Sequence, residues 1–220
     1  MAAQQNYEAL RERMVREQLI ARGISDPRVL AAMRRVPRHA FVPPNLRDRA
    51  YDDGPLPIGG GQTISQPYIV AYMTQALALK PKDVVLEVGT GSGYQTAILC
   101  ELARQVYSLE RRPELAERAR DVLTELGYHN VQIHVGDGTQ GLPQFAPYDA
   151  ILVTAAAPAI PAPLREQLAE GGRLVLPTGD RRQQVLRRVR RQGDRWTVED
   201  LIAVVFVPLY GQHGFTPPTS

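Results

Sequence analysis

Glu87-Val88-Gly89-Thr90-Gly91-Ser92-Gly93 closes a short apolar run, Val84 to Val88, and opens a helical stretch from Tyr94 to Ala103. A glycine-rich turn between a strand and a helix lets backbone approach a ligand closely, and the helix start offers free N–H groups. The dinucleotide fingerprint needs glycine at position 94, where Tyr94 stands, so the spacing here is Gly-x-Gly-x-Gly. The same turn also serves as a plain strand-to-helix connection without a ligand.

Outward from that turn, strand-like and helical segments alternate. Gln105 to Leu109 reads as a second strand. Pro113 opens a helix with Leu115, Ala119, Val122, Leu123 and Leu126 on one side, stopped by Gly127. Val131 to Val135, Tyr148 to Val153 and Arg173 to Pro177 follow as strands, with a helix over Pro163 to Leu168. Buried strands that read as continuous apolar runs between helices predict a mostly parallel α/β sheet, Rossmann-like, with helices on both faces. Val185 to Arg191 and Arg195 to Pro208 flank the turn Gln192-Gly193-Asp194 and predict an antiparallel hairpin on the sheet edge. Arginines crowd this hairpin. They read either as a nucleic-acid patch or as a solvated edge protected by charge, and the lack of interleaved aromatics before Trp196 favours the edge.

The N-terminal part is helical. Tyr7, Leu10, Met14 and Leu19 predict a helix over 7–22 that ends at Gly23, and Asp26-Pro27 starts a second that Pro37 ends. Residues 37–62, rich in proline and glycine, predict an irregular surface loop. A third helix is expected from Pro67 to Leu79. The whole predicts one domain over 1–220: an N-terminal helical extension (1–79), an α/β core (80–180) that the resemblance given below makes the cofactor core, C-terminal antiparallel strands (181–215) and a tail (216–220) frayed at Pro217-Pro218.

Composition bounds the function. The chain has 220 residues, 44% hydrophobic and 22% charged, enough for a compact core. Its net charge of +3 is too weak a field to imply nucleic acid or membrane as partner. One cysteine, Cys100, excludes an intrachain disulfide and a multi-cysteine zinc site. His39, His129, His134 and His213 form no ligand motif, so no metal is expected. The start shows no apolar signal region, and the longest uncharged apolar stretch, Ala150 to Leu164, carries three prolines. A soluble, cytoplasmic protein is expected.

Two acids stand at strand ends. Glu110 follows the second strand, where a carboxylate accepts from ribose hydroxyls or simply pairs with Arg111 or Arg112. Gly136-Asp137-Gly138 follows the third strand, and its flanking glycines leave Asp137 free for an adenine amino group, or merely form a turn. The glycine loop and these acids together resemble the class I S-adenosylmethionine-dependent methyltransferases. Glu87 and Glu110 suit an adenosyl cofactor without a pyrophosphate, which acids would repel.

Further motifs narrow the resemblance. Gly61-Gln62-Thr63-Ile64-Ser65-Gln66-Pro67-Tyr68, Tyr148-Asp149-Ala150-Ile151, Thr154-Ala155-Ala156-Ala157-Pro158, Gly171 to Pro177 and Phe206-Val207-Pro208-Leu209 occur in that order. With Val36-Pro37-Arg38-His39-Ala40-Phe41-Val42-Pro43, they are similar to the protein-L-isoaspartate (D-aspartate) O-methyltransferases over about residues 8–215. The resemblance implies methyl transfer from S-adenosyl-L-methionine, leaving S-adenosyl-L-homocysteine, to the free carboxylate of L-isoaspartyl or D-aspartyl residues in damaged proteins and peptides. It implies a cofactor site at Gln62, Thr63, Ile64, Ser65, Glu87, Gly89, Thr90, Gly91, Ser92, Gly93, Glu110, Arg111, Asp137 and Gly138. It places substrate at Ser65, Val207, Pro208 and Leu209, and marks Ser65 as the active-site hydroxyl. From the residues alone, Ser65 reads as the N-cap of the helix at Pro67. Tyr94, Cys100 and His39 read as packing residues. A methyltransferase acting on RNA or a small molecule is the alternative, and it leaves Gln62 to Pro67 without a role.

Overall fold

The computed structural model describes residues 6–216; the expected fraying at Pro217-Pro218 lies outside the described residues. Helix α1 (Tyr7–Met14) widens into a π turn (Val15–Leu19) and then tightens into a 3₁₀ turn that Gly23 ends at φ 88°. Helix α2 (Pro27–Arg35) is capped by Asp26, whose Oδ1 accepts from the backbone N–H groups of Arg28 and Val29.

Residues 37–62 are more ordered than the proline and glycine content suggests. Two 3₁₀ turns, Arg38–Phe41 and Pro44–Arg49, lead into an antiparallel hairpin of β1 (Leu56–Gly59) and β2 (Gln62–Ile64). Leu56 and Ile58 point inward while Pro57 and Gly59 face out, so a four-residue strand hides its alternation behind turn formers. Helix α3 (Pro67–Leu77) follows. Its N-cap is Gln66, whose carbonyl takes the first helical bond from Val70. The capping role read for Ser65 is therefore wrong by one position, and the hydroxyl has no hydrogen-bond partner among the described residues.

The remaining elements are β3 (Val84–Val88), α4 (Tyr94–Cys100), β4 (Gln105–Glu110), α5 (Pro113–Glu125), β5 (Val131–Val135), β6 (Tyr148–Val153), α6 (Ala162–Glu166), β7 (Leu168–Gly179), β8 (Gln184–Gln192) and β9 (Arg195–Val204). They form a seven-stranded sheet in the order β5-β4-β3-β6-β7-β8-β9. The first five in that order run parallel, and β8 and β9 attach antiparallel. Both faces are buried. Val85, Val106, Ala150 and Leu152 face a core shared with the N-terminal helices, whereas Leu86, Leu109, Ile151 and Val153 face a second core that includes Leu164 and Leu174. This is why the central strands read as unbroken apolar runs. At the lower end of the sheet, Arg173 pairs with buried Asp83 at 2.7 Å and donates to the carbonyls of Leu77, Ala78 and Asp149, tying α3 to β3 and β6.

The hairpin arginines are engaged across the strands. Arg187 pairs with Asp200 at 2.7 Å and Arg188 with Glu199 at 2.5 Å, while Arg165 and Arg191 flank the Trp196 ring. Exposed pairs of this kind contribute at most about 1 kcal/mol. Replacing Arg187 and Arg190 with serine is expected to leave the activity that the sequence resemblance implies within about twofold of wild type. A tenfold loss of turnover would assign the hairpin a functional role.

Candidate active site

The chain order turns back at β3. It builds β4 and β5 on one side, then crosses to β6 and β7 on the other, which opens a crevice at the carboxyl ends of the strands. A cleft with about 900 Å³ of open space lies there. Its floor is the turn after β3. The N–H of Gly89 donates to the carbonyl of Leu109 at 2.7 Å, and that of Gly91 to Glu110 Oε2 at 2.8 Å. Gly89 has φ 97°, and a Cβ there would stand 2.3 Å from Thr154 Oγ1, which donates to the Gly89 carbonyl. Only glycine fits between β3 and β6 at that point.

Glu110 is 7% exposed, and it lines the cleft. One carboxylate oxygen accepts from Gly91 N and the other from Arg112 N at 3.0 Å, so each keeps a lone pair for a further donor. Arg111, beside it on the cleft wall, lies over the Tyr210 ring at 5.4 Å. The opposite wall is Gln62, Thr63, Ile64 and Ser65. Their position is set by Gln66, whose Nε2 donates to Asp53 Oδ1 at 2.8 Å, and Asp53 is itself bound by Arg22. Ser65 is half-buried, and its hydroxyl is free for a ligand in the cleft. The third wall is Val207, Pro208 and Leu209. Ala156, just beyond β6, holds this segment, donating to the Val207 carbonyl at 2.8 Å and accepting from Leu209 N at 2.7 Å.

Thr90, Ser92 and Gly138 also line the cleft. Three sequence candidates do not. Gly93 sits at φ 88°, with its Cβ position 3.2 Å from Ala119 Cβ, so it packs α4 against α5. Glu87 is fully buried behind the loop, accepting from Thr96 and Ser108. Asp137 is not free as its flanking glycines suggested. Oδ1 accepts from the backbone and hydroxyl of Thr139, and Oδ2 from Gln140 Nε2 and Gln212 N. Partial burial works against its charge, but these donations outweigh it and hold the carboxyl below the usual carboxylate range. Asp137→Asn is expected to cost about 1 kcal/mol, a modest figure because the site is partly solvated. A carboxyl depressed on folding stabilises above its unfolded pKa, so the deficit should be full near neutrality and vanish as acid protonates the wild type. Urea unfolding of both proteins at neutral and acid pH measures it.

Residues that sequence reading passed over also line the cleft: Tyr94, Gln95, Thr154, Ala155 and Tyr210. Thr154-Ala155 lay within a quoted motif and Tyr210 directly follows Leu209. Tyr94, read as packing, does both: it contacts Phe41 and the Arg38 guanidinium inside and the cleft outside. Cys100 is buried, with its thiol pushed up by burial. His39 stacks on Tyr7 at 3.9 Å and bonds Tyr51, away from the cleft. No group of three or more His, Cys, Asp or Glu among the described residues is placed to hold a metal ion, and no described helix is long and apolar enough to cross a membrane.

A parallel sheet with this order and antiparallel end, carrying a glycine turn and a strand-end acid at the switch point, defines a class I methyltransferase fold. The family model for protein-L-isoaspartate (D-aspartate) O-methyltransferase matches residues 10–214, and the chain belongs to that family. A protein-L-isoaspartate O-methyltransferase of Roseiflexus sp. (strain RS-1) is 60% identical over 198 residues, covering 90% of this chain and 91% of the relative. A solved protein-L-isoaspartate O-methyltransferase superposes with TM-score 0.83 at 29% identity, over 93% of this chain and 67% of its own. A Plasmodium falciparum beta-aspartate methyltransferase solved with S-adenosyl-L-homocysteine superposes with TM-score 0.80 at 28% identity, over 94% and 99%. The chain is thus an enzyme that methylates isoaspartyl carboxylates.

Proposed function

We propose that the cleft binds S-adenosyl-L-methionine between the turn after β3 and the Gln62–Ser65 wall, and that Ser65 orients the substrate carboxylate. The residues fit this group. Glu110 keeps two acceptor positions for a ribose diol, and Ile64, Val88, Leu109 and Leu209 offer apolar walls for a base. The bound cofactor supplies a methyl group on a sulfonium, activated for displacement. The chain supplies position. A carboxylate with a reference pKa of about 4 is already a nucleophile at neutral pH, so no base is required. Ser65 donates one hydrogen bond to the oxygen that does not attack. Val207 to Leu209, fixed by Ala156, forms the wall against which an extended or flexible peptide lies. Alignment of this kind contributes several kcal/mol without covalent chemistry by the protein. The observation that carries the reading is that the Ser65 hydroxyl, which has no hydrogen-bond partner among the described residues, lines the same cleft as Glu110.

The partners in this reading are isoaspartyl-containing proteins and peptides, with D-aspartyl residues as further substrates and no nucleic acid. The lone cysteine is buried and free, which suits a reducing compartment such as the cytoplasm. The test is the chemistry of the product. Label transferred to a peptide should leave as methanol under mild base, as a carboxyl ester does. Base-stable label would point to methylation on nitrogen.

A further inference from the structure

Glu87 is conspicuous for what surrounds it. Its side chain is fully buried behind the turn after β3. Oε2 accepts from Thr96 Oγ1 and Ser108 Oγ, both at 2.6 Å, while Oε1 has no partner among the described residues. Ser108 has one hydroxyl proton. Because it goes to Glu87, Ser108 Oγ accepts in turn from Thr90 Oγ1, 2.5 Å away. Thr90 belongs to the cleft wall. A hydrogen-bonded chain Thr90–Ser108–Glu87 therefore joins the cleft to a buried carboxyl.

An ionised carboxyl is expensive in that place. Burial pushes Glu87 up to about 8, the donations from Ser108 and Thr96 hold it back, and the like charge of Glu110 at the end of β4 adds to the rise. The other titratable group facing it is the Cys100 thiol of α4, which burial keeps protonated. In the neutral range an empty cleft thus leaves Glu87 protonated. The two cleft ligands of the reaction differ by one charge: the sulfonium cofactor carries it, the thioether product does not. Charges act strongly across a dry, low-dielectric wall.

We infer that Glu87 is a positioning residue that senses this charge, releasing its proton to solvent when the sulfonium cofactor binds and taking one up again once the neutral product occupies the cleft. The inference rests on the reading of the cleft as the adenosyl cofactor site. The balance closes over a turnover. Binding expels one proton from Glu87. Methyl transfer forms the ester C–O bond and breaks the S–CH3 bond, its electron pair staying on sulfur. The proton then returns to a carboxylate left without its counter-charge. The cycle favours the charged cofactor over the spent one as pH rises towards the Glu87 midpoint.

The experiment is calorimetric titration of the wild-type enzyme with S-adenosyl-L-methionine and with S-adenosyl-L-homocysteine, from about pH 6.5 to 8.5, in two buffers of different ionisation heat. Affinity for S-adenosyl-L-methionine is expected to rise about tenfold with pH, with proton release seen as a buffer-dependent heat. Affinity for S-adenosyl-L-homocysteine should change less than about threefold. Groups that titrate in both complexes, including the amino group the ligands share, cancel in the comparison. Glu87→Gln keeps the size and removes the charge, and should make the two pH curves parallel. If that variant does not fold, the wild-type comparison in two buffers decides alone. Parallel curves in the wild type would overturn the proposal. Failure of both ligands to bind would overturn the cofactor site itself, and the proposal with it.

Discussion

Ser65→Asp is expected to lower isoaspartyl-peptide methylation by about a hundredfold or more while the melting temperature stays near that of the wild type. The variant sets a carboxylate beside an anionic substrate. Two like charges about 4 Å apart in a partly dry site repel by up to about 4 kcal/mol, and a hundredfold in rate needs only about 2.7 kcal/mol. Stability should not suffer, because the helix α3 cap is Gln66 and the Ser65 hydroxyl has no hydrogen-bond partner among the described residues. Ser65→Ala removes a donor without adding charge. It should lower methylation by about tenfold and leave cofactor affinity nearly unchanged. Steady-state rates and thermal melts of both variants measure these outcomes. A stable Ser65→Asp enzyme with near-normal turnover would remove Ser65 from the reaction.

Glu110→Ala is the second large effect, and the structure makes it two effects at once. The carboxylate anchors Gly91 N and Arg112 N while offering its remaining lone pairs to the cleft. Losing it should weaken S-adenosyl-L-homocysteine binding by about 1–3 kcal/mol, and should also loosen the turn after β3, lowering stability by a similar amount. Glu110→Gln should not rescue the turn, since its amide NH2 would face one of two backbone donors. Calorimetry and urea unfolding separate the two losses. Unchanged affinity in Glu110→Ala would move the cofactor elsewhere.

Much of this molecule was legible because its central strands are buried on both faces. Val84 to Val88 and Tyr148 to Val153 end where an apolar run meets glycine, proline or charge, and the structure places those strands at the same residues; Val131 to Val135, at the sheet edge and only partly buried, also falls where its alternating apolar residues place it. That the turn after β3 and Glu110 meet at one cleft was legible for a related reason: a switch point in an open sheet brings these strand ends to a crevice. Illegible features depend on partners distant in sequence. Asp137 is held by Gln212, which closes the C-terminal segment onto the turn after β5, and no local pattern announces that bond. Glu87 reads as a ligand acid by position, yet Ser108 on β4 and Thr96 on α4 bury it behind the cleft wall. The β1–β2 hairpin escaped notice because Pro57 and Gly59 occupy its outward positions. Ser65 was misread by a single residue, since proline at the first helical position moves the cap to Gln66.

The proposed function requires this cleft to select the displaced carboxylate of an isoaspartyl residue over that of ordinary aspartate. The direct measurement offers the enzyme and labelled S-adenosyl-L-methionine two peptides of one sequence, one with isoaspartate and the other with ordinary aspartate. Mass spectrometry then follows both over time. One methyl ester should appear on the isoaspartyl peptide and convert through a succinimide partly to the aspartyl form, while the twin stays unmodified. Equal methylation of the two peptides, or none on either beside transfer to RNA, would contradict that selectivity.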